Sequence, residues 1–265
     1  MTCGTQYPDS EQPPRNCPIC DDPRQYVGFD GQTWTTLEAL RAQHANEFSE
    51  TEVNLTAIET KPSFAIGQRA FLVQSPGGNV LWDCIALIDD ATRAAVHQKG
   101  GLAAIAISHP HYYTTMIEWS HAFGNIPIYL HEYDRHWVMR PDPVIQFWSG
   151  ERLALHDDMT LIRAGGHFDG GSLLHWPRGA EGRGVLFCGD VIQVVPDRRW
   201  VSFMYSYPNL IPLDAKAVRK VTASVDDFEF DRIHGAFHPR SVMGDGRAAF
   251  ARSAQRYLRA IGVLE

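Results

Sequence analysis

The chain has 265 residues, with 24 Lys and Arg against 31 Asp and Glu, and a formal net charge of −7. That length fits one large domain, or one domain with a small appendage, and 44% hydrophobic residues suffice for a sizeable core, which excludes a wholly disordered chain. The acidic balance argues against a nucleic-acid partner, and no apolar run reaches the roughly 18 residues of a membrane span.

The N-terminal stretch MTCGTQYPDSEQPP has neither the basic start nor the apolar run of a signal peptide, so a soluble cytoplasmic protein without a membrane partner is expected. Residues 1–30 are rich in Pro and turn formers, show no periodicity and read as an irregular appendage to a main domain over 31–265. A helix is predicted from Thr35, which has capping-box spacing to Glu38, to about His44. Residues 53–58 alternate as a strand, and 70–73 with 79–82 flank a Ser-Pro-Gly-Gly turn, the mark of a hairpin. A helix over 89–99 ends at Gly100-Gly101, and 102–107 then reads as a strand buried on both faces. A helical stretch ending at Gly124 precedes a strand at 126–130. Further strands are predicted at 152–155, 159–164, 171–176, 184–188 and near 232–234, with helices at 214–224 and 245–260. This order describes an α+β protein in which two sheets pack face to face with helices outside.

Metal ligands are neutral or deprotonated donors that converge on one point, and strand ends with adjoining loops supply them. His109 and His111 flank Pro110 directly after the buried strand; in an extended segment both would project to one side. His167 follows Gly165-Gly166, Asp190 ends the 184–188 strand after Gly189, and His238 closes His-Gly-Ala-Phe-His-Pro. These residues, in this order, resemble the metallo-β-lactamase superfamily, whose motif His-x-His-x-Asp-His is followed by a His, a bridging Asp and a last His. The resemblance covers roughly residues 53–260. It implies an αββα sandwich and a metal-dependent hydrolase with His109, His111, His167, Asp190 and His238 as ligands.

Where the superfamily has Asp-His, this chain has Tyr113-Thr114. Those positions serve the second metal, so one dominant metal is expected, with Glu118 and His121 as substitute donors or as ordinary helix-surface residues. Zn²⁺ is the first choice of metal, acidifying a water to attack a thioester, ester, phosphoester or lactam of small-molecule size. Asp190 or His238 would then orient or deprotonate that water, with Tyr113 as a hydrogen-bonding neighbour. His109, His167 and Asp190 also make a two-His-one-carboxylate set suited to Fe(II), as in the sulfur dioxygenases of this superfamily, and a non-catalytic metal-binding module is the third reading. His131 and the aromatic loop 200–209 are candidate pocket linings, with strand-end capping and core packing as their alternatives.

Of five cysteines, Cys84 and Cys188 stand in apolar surroundings and read as small buried hydrophobes. Cys17-Pro-Ile-Cys20 is a knuckle of the kind that wraps a tetrahedral metal, and with Cys3-Gly4 it resembles zinc ribbons and rubredoxins. Cys3, Cys17 and Cys20 are therefore expected to hold a structural Zn²⁺, with a redox iron centre or a metal-free set of thiols as the alternatives, and the fourth ligand is sought upstream of Met1 or in Asp21, Asp22 or His44.

Overall fold

Strand side chains alternate between faces with a period of two, and here each face finds a different partner layer. The computed structural model describes residues 1–263; residues 264 and 265, the last two of the expected main domain, lie outside the described residues. The first sheet runs in chain order: β1 (Ala45–Glu52), β2 (Leu55–Lys61), β3 (Ala70–Val73), β4 (Val80–Trp82), β5 (Ala104–Ala106), β6 (Ile128–His131) and β7 (Ile145–Trp148). Its first four strands are antiparallel and the rest parallel. The second sheet contains β8 (Arg152–Ala154), β9 (Thr160–Arg163), β10 (Ser172–Trp176) and β11 (Val185–Gly189). After two short ribbons, β12 (Gln193–Val194) with β13 (Val201–Ser202) and β14 (Met204–Ser206) with β15 (Ile211–Pro212), the chain returns to it through β16 (Arg232–Gly235) and β17 (Ser241–Val242).

The helices are α1 (Pro18–Asp21), α2 (Leu37–Gln43), α3 (Asp90–Gln98), α4 (Met116–Ala122), the single turn α5 (Gly179–Gly182), α6 (Ala215–Ser224) and α7 (Gly246–Ala260). Phe71, Val73, Val80 and Trp82 face inward and pack on Leu174, Trp176, Val185 and Phe187 of the second sheet. Leu72, Leu81 and Ile105 face outward onto Val96 of α3 and Ile117 and Trp119 of α4. On the other side Leu173, Leu186 and Cys188 meet Val218 and Val221 of α6 and Phe250 of α7. The result is the expected αββα sandwich, with Cys84 and Cys188 buried in its two outer layers.

Most expected elements are present, with instructive shifts. Thr36, not Thr35, caps α2, accepting from the Ala39 N–H at 3.1 Å, so the capping-box spacing is one residue out of register. Asp89 and Asp214 cap α3 and α6 in the same way, at 2.7 and 2.9 Å. Strand β1 is not legible in the sequence, because Ala-Asn-Glu-Phe-Ser-Glu-Thr-Glu has one large apolar residue and no alternation; the ladder to β2 holds it extended at the sheet edge. No helix among the described residues is long and apolar enough to cross a membrane.

Candidate metal centre

The C-terminal ends of β4, β5, β9 and β11 open on one edge of the sandwich, and the chemistry-bearing residues follow them directly. After β4, the fully buried carboxylate of Asp83 accepts from the Ser108 N–H at 2.7 Å, and burial pushes its pKa up to about 7. Ser108 in turn lies 2.8 Å through Oγ from His109 Nδ1, which turns His109 Nε2 away from it. Gly189 makes room for this contact: a Cβ there would stand 2.3 Å from Ser108 Oγ, and its φ of +49° lies in the left-handed region. The Gly165-Gly166 turn after β9 delivers His167, whose Nδ1–H donates to the Tyr205 carbonyl at 2.8 Å and leaves Nε2 free to face inward.

Three imidazoles meet at this edge. The ring centroids of His109, His111 and His167 form a nearly equilateral triangle with sides of 5.1, 5.0 and 5.1 Å. His167 Nε2 is 3.4 Å from His111 Nδ1. Two nitrogens on a tetrahedral ion at the usual zinc–nitrogen length would stand about 3.3 Å apart, so the spacing fits a shared cation. Asp190 completes the group, and one donor atom from each of the four residues lies within 4.8 Å of the others. His109 Nε2, His111 Nε2 and Asp190 Oδ1 are buried without a hydrogen-bond partner, a costly state that a bound cation would relieve for the donors facing it. Burial, reinforced for His109 and His111 by neighbouring positive groups, holds those two well below the usual imidazole value, and burial takes His167 down to about 4. All three rings are therefore neutral at pH 7, the form a metal needs. Burial acts oppositely on Asp190 and raises it to about 7.

Two expected members do not join. His238 has a side chain 60% exposed and lies 3.7 Å from Glu59, while its neighbour Phe237 lines the cavity instead. Phe237 opens a tight turn closed by the Arg240 N–H donating to the Phe237 carbonyl at 2.6 Å, and that turn carries His238 away from the cavity. Tyr113 is also corrected. Residues Pro110–Tyr112 form one 3₁₀ turn rather than an extended segment, so successive side chains are rotated by about 120°. Tyr113 consequently packs into the outer core layer with Met116 and Trp119. Tyr112 takes the site-facing position: its ring is 4.3 Å from that of His109, and its hydroxyl, buried beside Asp190, has no hydrogen-bond partner.

The substitute donors are engaged elsewhere, Glu118 with Arg140 at 2.6 Å and His121 with Asp142 at 3.1 Å. His131 caps the end of β6, bonding the Gly150 carbonyl at 3.0 Å and accepting from the Tyr133 N–H. The aromatic loop divides: Tyr207 lines the cavity and donates to the Asp190 carbonyl at 3.1 Å, whereas Phe203 is core and Trp200 stacks under Arg256. A cavity of about 200 Å³ opens onto His111, His167 and Asp190, and Arg24, Gln25 and Tyr26 of the N-terminal segment form one of its walls. Arg24 lies 3.8 Å over the Phe168 ring, pairs with Asp22 at 2.6 Å and donates to the His167 carbonyl at 3.3 Å. Nothing local in the sequence marks Arg24 as a site residue; Asp83 and Ser108, by contrast, carry the signal of polar residues at strand ends.

No family model matches the chain. It is 50% identical over 262 residues to the uncharacterized protein YmaE of Bacillus subtilis, covering 98% of this chain and 95% of that protein. The chain belongs to the YmaE family. Among solved structures, this YmaE-family chain is similar to the metallo-β-lactamase FIM-1 from Pseudomonas aeruginosa in its mono-zinc form. The identity is 15% over 81% of this chain and 96% of that one, with a TM-score of 0.59. DIM-1 metallo-β-lactamase gives 16% identity, 79% and 95% coverage and a TM-score of 0.60. TTHA1623 in a di-iron-bound form gives 22%, 71% and 94%, and 0.51. The YmaE-family chain has the metallo-β-lactamase fold, and its His109, His111, His167 and Asp190 cluster fits a metal site at the edge where that fold carries one.

Proposed function

We propose that this protein is a metal-dependent hydrolase with one dominant metal, held by His109, His111 and His167 with Asp190. The observation that carries the reading is the triangle of three neutral imidazoles closed by a buried, unpartnered carboxylate oxygen. When bound, Zn²⁺ supplies Lewis acidity and lowers the pKa of water toward ~7. Ser108 orients His109, the Tyr205 carbonyl orients His167, and Asp83 holds the Ser108 backbone in place. The Tyr112 hydroxyl, buried beside Asp190, would support that carboxylate as a ligand. The cavity of about 200 Å³ lies below the usual ~300 Å³ of drug-sized sites, so the substrate is a small thioester, ester, phosphoester or lactam. Tyr113-Thr114 supply no second-metal donors, and among the described residues no other His, Asp or Glu joins the cluster.

Zn-loaded protein tested against a panel of such compounds should turn over at least one, and the activity should fall with chelation. A protein that takes up iron in preference to zinc and consumes O₂ with a thiol or persulfide would move the assignment to a mononuclear iron oxidoreductase. The His109, His167, Asp190 subset supports that second reading, and the di-iron form of TTHA1623 supports iron as the metal without favouring a single ion.

Two further results are expected. Ser108→Ala should lower metal affinity by about 10–100-fold with little change in folding, since the partner that orients a ligand imidazole is lost; unchanged affinity would remove Ser108 from the site. Metal affinity should also depend on pH, chiefly through Asp190, the ligand whose proton the cation must displace. With its pKa at about 7 and the three imidazoles already neutral, binding displaces one proton below pH 7 and none well above it. Affinity should then drop about tenfold per pH unit below 7 and level off above, measurable by competition with a chromophoric chelator.

A further inference from the structure

Cys3, Cys17 and Cys20 converge although residues 4–16 separate the first from the other two. All three side chains are buried, and their sulfurs lie within 4.8 Å of one another. The Cys3–Cys17 separation is 3.8 Å. A disulfide needs about 2.05 Å, whereas two thiolates on a tetrahedral ion at the usual zinc–sulfur length of about 2.3 Å stand about 3.8 Å apart. In the same cluster the buried Tyr7 hydroxyl, next to Cys17, has no hydrogen-bond partner. The three residues anticipated as a fourth ligand are spoken for: Asp22 by Arg24, Asp21 by Asn16, and His44 by the Leu40 carbonyl. Three thiolates without a carboxylate form a soft donor set that selects zinc-class ions over magnesium or calcium.

The position of this cluster gives it a consequence. Cys3 follows Thr2, and Cys20 precedes Arg24 by one turn of chain; Thr2, Arg24, Gln25 and Tyr26 all line the cavity at His111, His167 and Asp190. Beyond the cysteines the same segment is secured by Asn209, which donates to the Pro23 and Gln25 carbonyls at 2.8 and 2.9 Å, and by the Gln6 N–H donating to the Thr114 carbonyl at 3.1 Å. We propose that Cys3, Cys17 and Cys20 bind a structural Zn²⁺-class ion that fastens the N-terminal segment as a fixed wall of the cavity. The ion assignment stands apart from the hydrolase reading; only the value of the wall rests on it.

Cobalt titration of the full chain tests this, because thiolate-to-cobalt charge-transfer bands in the near ultraviolet report sulfur ligation, which imidazole and carboxylate ligands cannot produce. Wild-type protein should bind two Co²⁺ and show these bands. His109→Ala should lose one ion and keep the bands, so that failure of the histidine site cannot be mistaken for failure of the cysteine site. Cys17→Ser should lose the other ion together with the bands. On wild-type Zn-loaded protein, a thiol-specific mercurial should release one equivalent of zinc, and amide exchange over residues 2–30 should then rise at least tenfold while residues 104–106 stay unchanged. Absence of charge-transfer bands from the wild type, their persistence in Cys17→Ser, release of no zinc by the mercurial, or a disulfide among the three cysteines in the purified protein would overturn the proposal.

Discussion

Replacing His109 by alanine is expected to cut the metal affinity of the His109, His111, His167 and Asp190 cluster by at least about 100-fold, and the proposed hydrolysis should vanish with it. Loss of a partner that merely orients a ligand costs about 10–100-fold, and removing the ligand itself should cost no less. His109 is the member most firmly placed: Ser108 lies at its Nδ1, Asp83 holds Ser108, and its Nε2 is buried with no other partner. The alanine variant should fold, because it deletes a group that is desolvated without compensation in the metal-free protein. Tyr113→Phe is the matched control. Its ring packs among Met116 and Trp119, so the variant should keep its metal. Calorimetric titration with Zn²⁺ checks both, and wild-type affinity in His109→Ala would refute the ligand assignment.

The second large effect concerns stability. Glu52, whose side chain is only 6% exposed, ends β1 and reaches across to the other sheet. Its carboxylate accepts from Arg232 Nη1 at 2.7 Å, from His234 Nε2 at 2.8 Å and from the Ala180 N–H at 2.8 Å. The Ser241 hydroxyl, 2.8 Å from His234 Nδ1, fixes the tautomer that donates to Glu52. Glu52→Ala would leave the Arg232 guanidinium with only the exposed Glu181, 3.1 Å away, and a buried imidazole N–H of His234 unpaired. Breaking a buried pair by removing one partner costs about 3–5 kcal/mol, and that loss is expected in urea denaturation. A change below about 1 kcal/mol would show that the network is solvated.

The direction of the Glu52 shift sets the sign of its pH dependence. Burial alone would raise its pKa, but the His234 and Ala180 hydrogen bonds and the charges of His234 and Arg232 bring it below the ordinary 4.5. The contribution is therefore complete above pH 4.5, and it disappears as the pH falls through the lower folded value. The difference between wild type and Glu52→Ala should shrink correspondingly in acid.

The layers of the sandwich and most of the candidate metal cluster are written locally in the chain. Near-continuous apolar runs in β3, β4, β10 and β11 mark strands covered on both faces, and the strand-end positions of His109, His111, His167 and Asp190 announce their convergence. These signals need only short apolar runs and the residue types just beyond each strand. The remaining features arise from packing between distant segments. One 3₁₀ turn exchanges Tyr113 for Tyr112, and the turn over 237–240 sends His238 to the surface. Burial, which no residue shows in isolation, places Asp190 near pH 7 and makes three histidines neutral. Arg24 enters the site from 143 residues before His167, across a contact that no spacing encodes. Side-chain direction and desolvation depend on what packs from elsewhere in the chain, and that is the information a local pattern lacks.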